Sequence, residues 1–328
     1  MQAQVSLPII DSGTQRQQIK HLVIQNEDRL LNRFSGDRNV PKDKMLASLL
    51  NDITRRISSV DSIAEGVIDR DRGSIAGMVI GEIARWDTEQ FDEKLGKIVL
   101  ALFNDTVGLE TRAMIVHNVV KRLGARMVST RISLRDLRTI QCLESEGGVL
   151  TDVLLTYRFS FEGFKPILRW KGGVVDLARK GDESELIRLG MTLFKADRFH
   201  GDPHLPQSKS DEAYGKWVAN SLHGLADAVL VARNGRHVIG FITCKIDESV
   251  DGGNFGVIDL VGVNPSYSGL GIGHDLVRSA LDWFENRVGS VYVGTQASNS
   301  RAVRLYEGSG FKQVDSEATL HLWPVSPS

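Results

Sequence analysis

The residues with the clearest chemical potential lie in the last quarter of the chain. Glycines at positions 269, 271 and 273 follow an apolar segment, 256–263, and precede a segment with apolar residues at helical spacing, 272–284. This order predicts a strand, a glycine-rich turn and a helix. Glycine lets the backbone approach a ligand, and the free N–H groups at a helix N-terminus favour an anion such as a pyrophosphate. The turn is therefore a candidate phosphate-binding loop.

Two further residues with suitable chemistry follow this loop. Asn299 stands at the predicted start of a short helix, and Tyr306 lies seven residues further on. Residues at this spacing share a helical face, so Tyr306 fits either a ligand site or an ordinary core position. The loop lacks the Lys-Ser/Thr ending of a P-loop, and no acidic residue stands about 20 residues on at a strand end, as a dinucleotide site requires. Those two nucleotide-binding motifs are therefore excluded.

The loop resembles the acetyl-coenzyme A loop of the GNAT superfamily of N-acyltransferases, usually Arg/Gln-x-x-Gly-x-Gly/Ala. Gly271 and Gly273 stand in its two small-residue positions, and Ser268 stands where the pattern carries Arg or Gln. The backbone must therefore do more of the phosphate binding. The segment 297–311 resembles the family form in which an asparagine binds the pantetheine arm and a tyrosine lies near the thioester sulfur.

This resemblance implies acetyl-coenzyme A as the cosubstrate. The resemblance implies that coenzyme A binds to the strand that ends at residue 263, which is split in this family, to the glycine loop, and to the starts of the two helices that follow. These residues are Val261, Val263, Ser268, Gly269, Leu270, Gly271, Ile272, Gly273, His274, Asn299 and Ala302. In such an enzyme a neutral amine attacks the thioester carbonyl. A backbone N–H at or near Val263 holds the oxyanion, and Tyr306 protonates the leaving thiolate.

The group that accepts the proton of the amine is less clearly marked. Asp259 is the only carboxylate inside the predicted strand, and strict alternation places it on one face with Val257, Val261 and Val263. Asp259 is therefore a candidate catalytic base. The alternative is a chain of water molecules, with Asp259 as a solvated or helix-capping acid.

The acceptor side of the site has two candidate residues. Arg198 and His200 lie in the loop between the predicted helices 182–194 and 212–222, where enzymes of this superfamily often meet their acceptor. A diphosphate would suit the planar fork of an arginine, whereas a solvated surface residue is the ordinary alternative. Both residues are predicted to bind the substrate.

Composition limits the function classes further. The 328 residues suggest about two domains, and 41% hydrophobic content is sufficient for packed cores. A net charge of -1 argues against a nucleic-acid partner held by bulk charge. Two cysteines and eight scattered histidines show neither disulfide nor zinc spacing. With no signal peptide or membrane span in the sequence, we expect a cytoplasmic, metal-free enzyme without a membrane partner, and a homodimer stays open.

The two halves of the chain are predicted to be related. Subtracting 163 from the numbers of Asn299, Tyr306 and Gly310 gives Asp136, Leu143 and Gly147. The pattern of a helix and a strand therefore recurs, whereas the candidate binding and catalytic residues Asn299 and Tyr306 do not. The segment 103–112, where a phosphate loop should fall, has one glycine and two extra carboxylates. We expect an α/β (α+β) fold of two tandem GNAT-like domains, each a mixed, mostly antiparallel sheet flanked by helices.

The expected domains are 1–163, without a coenzyme A site, and 164–328, which carries the catalysis. About 80 N-terminal residues, with helix-like segments at 15–34 and 42–57, are expected to complete the first half. The chance similarity of two ordinary helix–strand units is the alternative to a repeat.

Four segments resemble the dTDP-fucosamine acetyltransferase group: 85–91, 195–200, 211–222 and 295–306. The resemblance implies transfer of an acetyl group to a primary amine on a nucleotide-linked amino sugar. Acetylation of an amino acid, a polyamine or a peptide N-terminus is the alternative within enzymes. A non-catalytic coenzyme A-binding module is the alternative outside them.

Overall fold

The structure, a computed structural model, describes residues 5–9, 13–30, 41–69, 71–162, 175–249 and 253–324. Two compact units are present, which we call unit 1 (Met1–Val153 with Ser316–Ser328) and unit 2 (Leu154–Asp315). The predicted boundary between residues 163 and 164 lies outside the described residues, so the two predicted domain ranges stay a prediction.

Unit 1 begins with β1 (Val5–Pro8), α1 (Gly13–Gln25), α2 (Glu27–Leu30) and α3 (Lys42–Ile57). It continues with β2 (Ser62–Asp69), β3 (Ser74–Ile83), α4 (Arg85–Phe91), β4 (Leu95–Phe103), α5 (Leu109–Leu123), β5 (Met127–Ser133), α6 (Leu137–Ser145) and the first residues of β6 (Val149–Ser160). The predicted helix over 42–57 is confirmed. The predicted helix over 15–34 is divided near Asn26, and its last residues lie outside the described ranges.

The sheet of unit 1 has the order β1-β2-β3-β4-β5, in which only β4 and β5 run parallel. One hydrophobic cluster places α5 and α6 on this sheet, with residues such as Val116, Val119 and Leu143 fully buried. A second cluster packs α1 and α3 through Leu22 and Ile53. The apolar stripes of these helices explain both contacts, since each stripe must be buried against an apolar face.

Unit 2 contains the rest of β6, β7 (Val175–Leu177), α7 (Glu183–Leu193), α8 (Gln207–Asn220), β8 (Ala228–Asn234) and β9 (His237–Glu248). These are followed by β10 (Asn254–Ile258), β11 (Val261–Val263), α9 (Ile272–Phe284), β12 (Ser290–Gln296), α10 (Ser300–Gly308) and the start of β13 (Lys312–Leu322). The sheet order is β6-β12-β10-β9-β8-β7, and β11 pairs with β9. Again one pair, β10 with β12, is parallel and the other pairs are antiparallel.

Two strands, β6 and β13, pair in the unit that does not contain the helix before them. β6 follows α6 in sequence, yet residues 154–160 pair with β12 of unit 2. β13 follows α10, yet Glu317–Leu322 pair with β5 of unit 1. The strand after the last helix of each half therefore completes the sheet of the other half's unit.

Candidate active site

An opening in the sheet of unit 2 forms where its central strand is interrupted. Val257 on β10 pairs with both Lys245 on β9 and Tyr292 on β12. Val261 on β11 pairs with Ile242 on β9. Between these two pairs β9 advances three residues (245 − 242) and the other strand four (261 − 257), which is a one-residue β-bulge. Among the described strands β11 pairs with β9 alone, so β11 and β12 diverge beyond the bulge.

The backbone of β11 faces this opening. The carbonyl of Leu260 accepts from the N–H of Thr243 (2.9 Å), and the N–H of Asn264 donates to the carbonyl of Ile239 (2.8 Å), so both residues turn their main chain toward β9. Because main-chain groups alternate along a strand, Val261 and Val263 turn theirs away from β9. The predicted oxyanion donor at Val263 therefore lies at the opening.

The candidate phosphate loop follows β11 directly. Asn264 accepts a hydrogen bond from the N–H of Ser266 (3.0 Å) and starts a short 3-10 turn, Pro265–Tyr267. Gly269 and Gly271 then adopt left-handed conformations, with φ of 83° and 86°. Residues with a side chain rarely adopt these φ angles, so this backbone conformation requires glycine at both positions.

The first turn of α9 leaves its donors available. The first intrahelical bond is from the N–H of Asp275 to the carbonyl of Gly271 (3.1 Å), and no side chain caps the helix. The N–H groups of Ile272, Gly273 and His274 therefore have no acceptor within the helix. Together with the helix dipole, they suit an anion.

There is space for such an anion beside the loop. Ser268, Gly269, Leu270 and Gly271 are exposed, and a Cβ added at Gly269 or Gly271 would meet no atom within 4 Å. A Cβ at Gly273 would come within 3.4 Å of Leu305 on α10, which is ordinary contact. The loop is thus open on the outside and supported by α10 on the inside.

Asn299 begins α10 by capping it. Its side-chain oxygen accepts a hydrogen bond from the N–H of Ala302 (3.2 Å), which satisfies one of the free donors of the helix end. The amide nitrogen of Asn299 makes no hydrogen bond to the other described residues and offers two donors to a ligand. The residue can therefore cap the helix and donate to a pantetheine carbonyl at the same time.

Tyr306 is a core residue whose hydroxyl is nevertheless available for chemistry. The ring is packed in the core, with its centroid 6.1 Å from that of Tyr157 and 5.8 Å from that of Phe311. Its hydroxyl makes no hydrogen bond with another described residue. Burial raises the pKa of the Tyr306 phenol above its ordinary value, so the phenol keeps its proton at neutral pH. A protonated, unengaged hydroxyl is what a general acid requires.

Tyr157 is a neighbour that sequence reasoning missed. It lies on β6, is 1% exposed, and donates to Oε1 of Glu307 (3.4 Å), 150 residues away in sequence. Burial, followed by the negative charge of Glu307, raises its pKa. No local pattern marks this residue, because its place beside Tyr306 results from pairing between β6 and β12.

Asp259 lies in the bulge itself. Ile258 belongs to the hydrophobic cluster that includes α9, whereas Leu260 belongs to the cluster that includes α7 and α8. The expected strict alternation is therefore wrong at this point, because the bulge shifts its phase. Burial raises the pKa of Asp259 above its usual value, although the charge of Lys245 partly opposes this. A partly buried carboxyl of raised pKa beside the opening is suited to accept a proton.

His200 and Arg198 are placed differently from each other. The His200 side chain is 3% exposed, and its two ring nitrogens lie within hydrogen-bond distance of Asp197 and of Asp211 (2.9 Å for Asp211). Direct contact with an acceptor would require His200 to give up one of these partners. The Arg198 guanidinium lies 4.0 Å from the centroid of the Phe199 ring. Substrate binding by either residue stays a prediction.

The carboxylate of Asp211 holds this group together. Burial acts to raise its pKa, but hydrogen bonds from Lys195 and His200 outweigh burial, and the pKa lies below its usual value. The network thus joins the end of α7 to the start of α8. Its polar groups stabilise the loop that precedes α8.

The loop, α9, Asn299 and Tyr306 all fall within the residues that a family model recognises. Residues 192–311 match the acetyltransferase (GNAT) family. The chain carries a GNAT acetyltransferase domain. The prediction of an acyltransferase is confirmed, and the GNAT assignment explains why a split strand and a helix N-terminus converge here.

Relatives extend the similarity beyond this domain. The spore coat polysaccharide biosynthesis protein SpsD of Bacillus subtilis is 24% identical over 258 residues, which cover 76% of this chain and 85% of that protein. A GCN5-related N-acetyltransferase from Sphaerobacter thermophilus aligns with a TM-score of 0.64 at 15% identity, covering 96% and 95% of the two chains. A tandem GNAT protein from the clavulanic acid biosynthesis pathway aligns with a TM-score of 0.53 at 11% identity, covering 99% and 100%. The predicted fold class is confirmed.

Two predicted absences remain predictions. None of the helices that the structure describes is long and apolar enough to span a membrane. The described histidine, cysteine, aspartate and glutamate residues form no group of three that could hold a metal ion. Location in the cytoplasm and catalysis without metal remain expectations from the sequence.

Proposed function

We propose that this GNAT protein transfers the acetyl group of acetyl-coenzyme A to a primary amine on a nucleotide-linked amino sugar. The observation that carries the transfer is the convergence of the opening at β11 with the free N–H groups of α9. The opening supplies backbone donors for the pantetheine arm and the thioester oxygen. The helix end supplies donors for the pyrophosphate.

The chemistry requires one proton donor and one proton acceptor. The amine nitrogen attacks the thioester carbon, and the oxyanion is held by the N–H of Val263. The tetrahedral intermediate collapses, the C–S bond breaks, and Tyr306 gives its proton to the sulfur. Asp259 takes the proton that the amine loses, either directly or through water, and water can return a proton to Tyr306.

The amino-sugar acceptor is supported by the similarity to SpsD, which covers 76% of this chain. SpsD is named for polysaccharide biosynthesis, and its match extends well beyond the coenzyme-binding part of the chain. An N-alpha-acetyltransferase, RimI of Mycobacterium tuberculosis, is 40% identical over 57 residues, only 17% of this chain. A match over so small a part of the chain gives little support for a peptide acceptor.

A thiol-release assay would test this proposal. Purified protein with acetyl-coenzyme A is offered nucleotide-linked amino sugars, free amino sugars, amino acids, polyamines and peptides with free N-termini. We expect the highest kcat/KM with a nucleotide-linked amino sugar, and mass spectrometry should locate the acetyl group on its nitrogen. A preference for a polyamine, an amino acid or a peptide would overturn the acceptor assignment and leave the acetyl-transfer chemistry in place.

A further inference from the structure

Arg301 lies on the face of α10 that meets the beginning of α9. Leu305 contacts the position of Gly273, and a Cβ at Gly308 would come within 3.0 Å of the His274 ring. Arg301 precedes these two residues of α10 by four and seven positions, so it shares their face. Gly273 meets Leu305 and the next residue, His274, meets Gly308 further along α10, and the strands β10 and β12 that precede the two helices are parallel. We therefore take the two helices to run in the same direction. Arg301 therefore lies about one turn beyond the contact with Gly273, at the level of the phosphate loop.

Unit 1 contains an independent version of this arrangement. Subtracting 163 from Arg301 gives Arg138, and subtracting 163 from Ile272 gives Leu109, the first residue of α5. The Arg138 guanidinium donates to the backbone carbonyl of Asp105 at 3.0 Å. Asp105 lies in the loop that leads into α5, as the phosphate loop leads into α9. An arginine at this helical position can therefore reach the loop in front of the neighbouring helix.

The two loops offer opposite partners to their arginine. Arg138 meets a backbone carbonyl in a short loop, whereas the phosphate loop is longer, open and lined by N–H groups that suit an anion. Arg301 is exposed and has no hydrogen bond or ion pair with another described residue. The family pattern carries its phosphate-facing Arg or Gln in the loop, where this chain has Ser268.

We propose that Arg301 binds the pyrophosphate of coenzyme A and supplies from α10 the cation that the loop lacks at position 268. The proposal rests on the proposed acetyl-coenzyme A site. A guanidinium suits this role because its planar fork can donate two parallel hydrogen bonds to phosphate oxygens.

Three ligands and three variants test this assignment. Coenzyme A, dephospho-coenzyme A and pantetheine carry a pyrophosphate with a 3′-phosphate, a pyrophosphate alone, and no phosphate. Their dissociation constants are measured for wild type, Arg301→Gln, Arg301→Lys and Arg287→Gln. Arg287 is the control for loss of an exposed arginine, because it lies after the opposite end of α9, where its guanidinium donates to the carbonyl of Trp283. Melting temperatures verify that each variant is folded.

We expect Arg301→Gln to weaken coenzyme A and dephospho-coenzyme A equally, by about tenfold to a hundredfold, the range of a charge-assisted hydrogen bond. Pantetheine should bind as it does to wild type, and Arg301→Lys should fall between wild type and Arg301→Gln. Arg287→Gln should match wild type with all three ligands.

Unchanged coenzyme A affinity in Arg301→Gln would overturn the proposal. An equal loss with pantetheine would also overturn it, since the effect would then be structural. A loss that disappears with dephospho-coenzyme A would move the contact to the 3′-phosphate and refute the pyrophosphate assignment. Failure of wild type to bind coenzyme A would instead refute the proposed function.

Discussion

Asp136 in unit 1 and Asn299 in unit 2 start two helices of the same construction. Each side chain accepts a hydrogen bond at 3.2 Å from the N–H three residues on, and ψ is 64° and 68° respectively. The equivalent glycines that end the helices, Gly147 and Gly310, have φ of 82° and 91°. The caps are therefore preserved although the side chain that would serve a ligand is not.

The helix ends agree bond for bond. In unit 1 the N–H of Gly148 donates to the carbonyl of Leu143 (2.8 Å), and in unit 2 the N–H of Phe311 donates to that of Tyr306 (3.0 Å). The residue numbers of Gly148 and Leu143 are each 163 lower than those of Phe311 and Tyr306. Backbone hydrogen bonds depend on conformation and not on the side chain. Leucine can therefore replace the tyrosine without loss of the motif.

The two units differ where a ligand would bind. In unit 1 the fully buried Arg112 donates to the carbonyls of Val107 and Asn104, both at 3.0 Å, and to the hydroxyl of Thr139 (3.3 Å). The loop thus directs carbonyl groups inward toward a buried cation. In unit 2 the corresponding loop leaves N–H groups for an anion. One scaffold can therefore present either carbonyl groups to an internal cation or N–H groups to the outside.

Both units have a β-bulge at the corresponding strand, but the bulged residues differ. β4 of unit 1 also carries an extra residue, Val99, since Ile80 pairs with Leu100 and Gly81 with Ile98. Unit 2 has Asp259 in its bulge. A valine retains the backbone opening and cannot accept a proton. Unit 1 thus preserves the bulge, with a valine where unit 2 has the candidate base.

The largest expected effect comes from giving unit 2 a residue of unit 1. Subtracting 163 from Gly273 gives Glu110, so Gly273→Glu places the carboxylate of unit 1 at the phosphate site. Coenzyme A binding should be lost in calorimetry, because a side chain here must displace Leu305 on the inner side of the loop and adds a carboxylate beside the free N–H groups of α9. Gly289→Glu adds the same side chain where a Cβ meets no atom within 4 Å, and it should bind normally. Wild-type affinity in Gly273→Glu would remove the phosphate loop from the site.

Arg112 provides the opposite test, in unit 1. Arg112→Met should destabilise the protein by about 3 kcal/mol or more, because buried carbonyl groups lose their donor. Chemical denaturation measures this loss, while coenzyme A affinity below the transition should stay at the wild-type value. Arg138→Met removes an exposed arginine from the same unit and should cost less than about 1 kcal/mol. Equal losses in the two variants would mean that Arg112 does not organise its loop.

Tyr306→Phe should lower kcat and kcat/KM together, by on the order of 10²-fold or more, because phenylalanine keeps the ring but not the proton. Affinity for acetyl-coenzyme A and the melting temperature should change little, since the hydroxyl has no partner among the described residues. Steady-state kinetics and calorimetry measure both sides of this comparison. Full kcat would show that solvent protonates the thiolate, and joint loss of affinity and stability would make Tyr306 a core residue only.

Asp259 gives the smallest expected change in stability. Its pKa is raised in the folded state, so its contribution to stability is complete below the unfolded pKa and is lost as pH rises through the folded pKa. Asp259→Asn should therefore stabilise the protein at neutral pH, by less than about 1 kcal/mol for a partly exposed group, and the gain should vanish in acid.

The same variant tests the base. If Asp259 accepts the proton, wild-type kcat/KM falls as pH drops through the raised pKa, and Asp259→Asn removes this limb while lowering the rate. An unchanged rate and pH profile in Asp259→Asn would assign proton transfer to a chain of water molecules.

Some features of this protein follow from short-range physics, and the sequence predicted them. The glycine-rich turn before α9, the helix over 272–284 and the helix start at Asn299 each depend on neighbouring residues. So does the family resemblance, because its motif lies within one loop and one helix. The recurrence at a spacing of 163 could likewise be read directly from residue types.

Other features were decided by tertiary structure alone. An apolar strand can pair in either sheet, so the sequence could not assign β6 to β12 or β13 to β5. The phase shift at Asp259 depends on the register with β9, and the hydrogen-bond partner of Tyr157 lies 150 residues away. These contacts join residues far apart in sequence, and no local pattern encodes which of many compatible pairings has the lowest free energy.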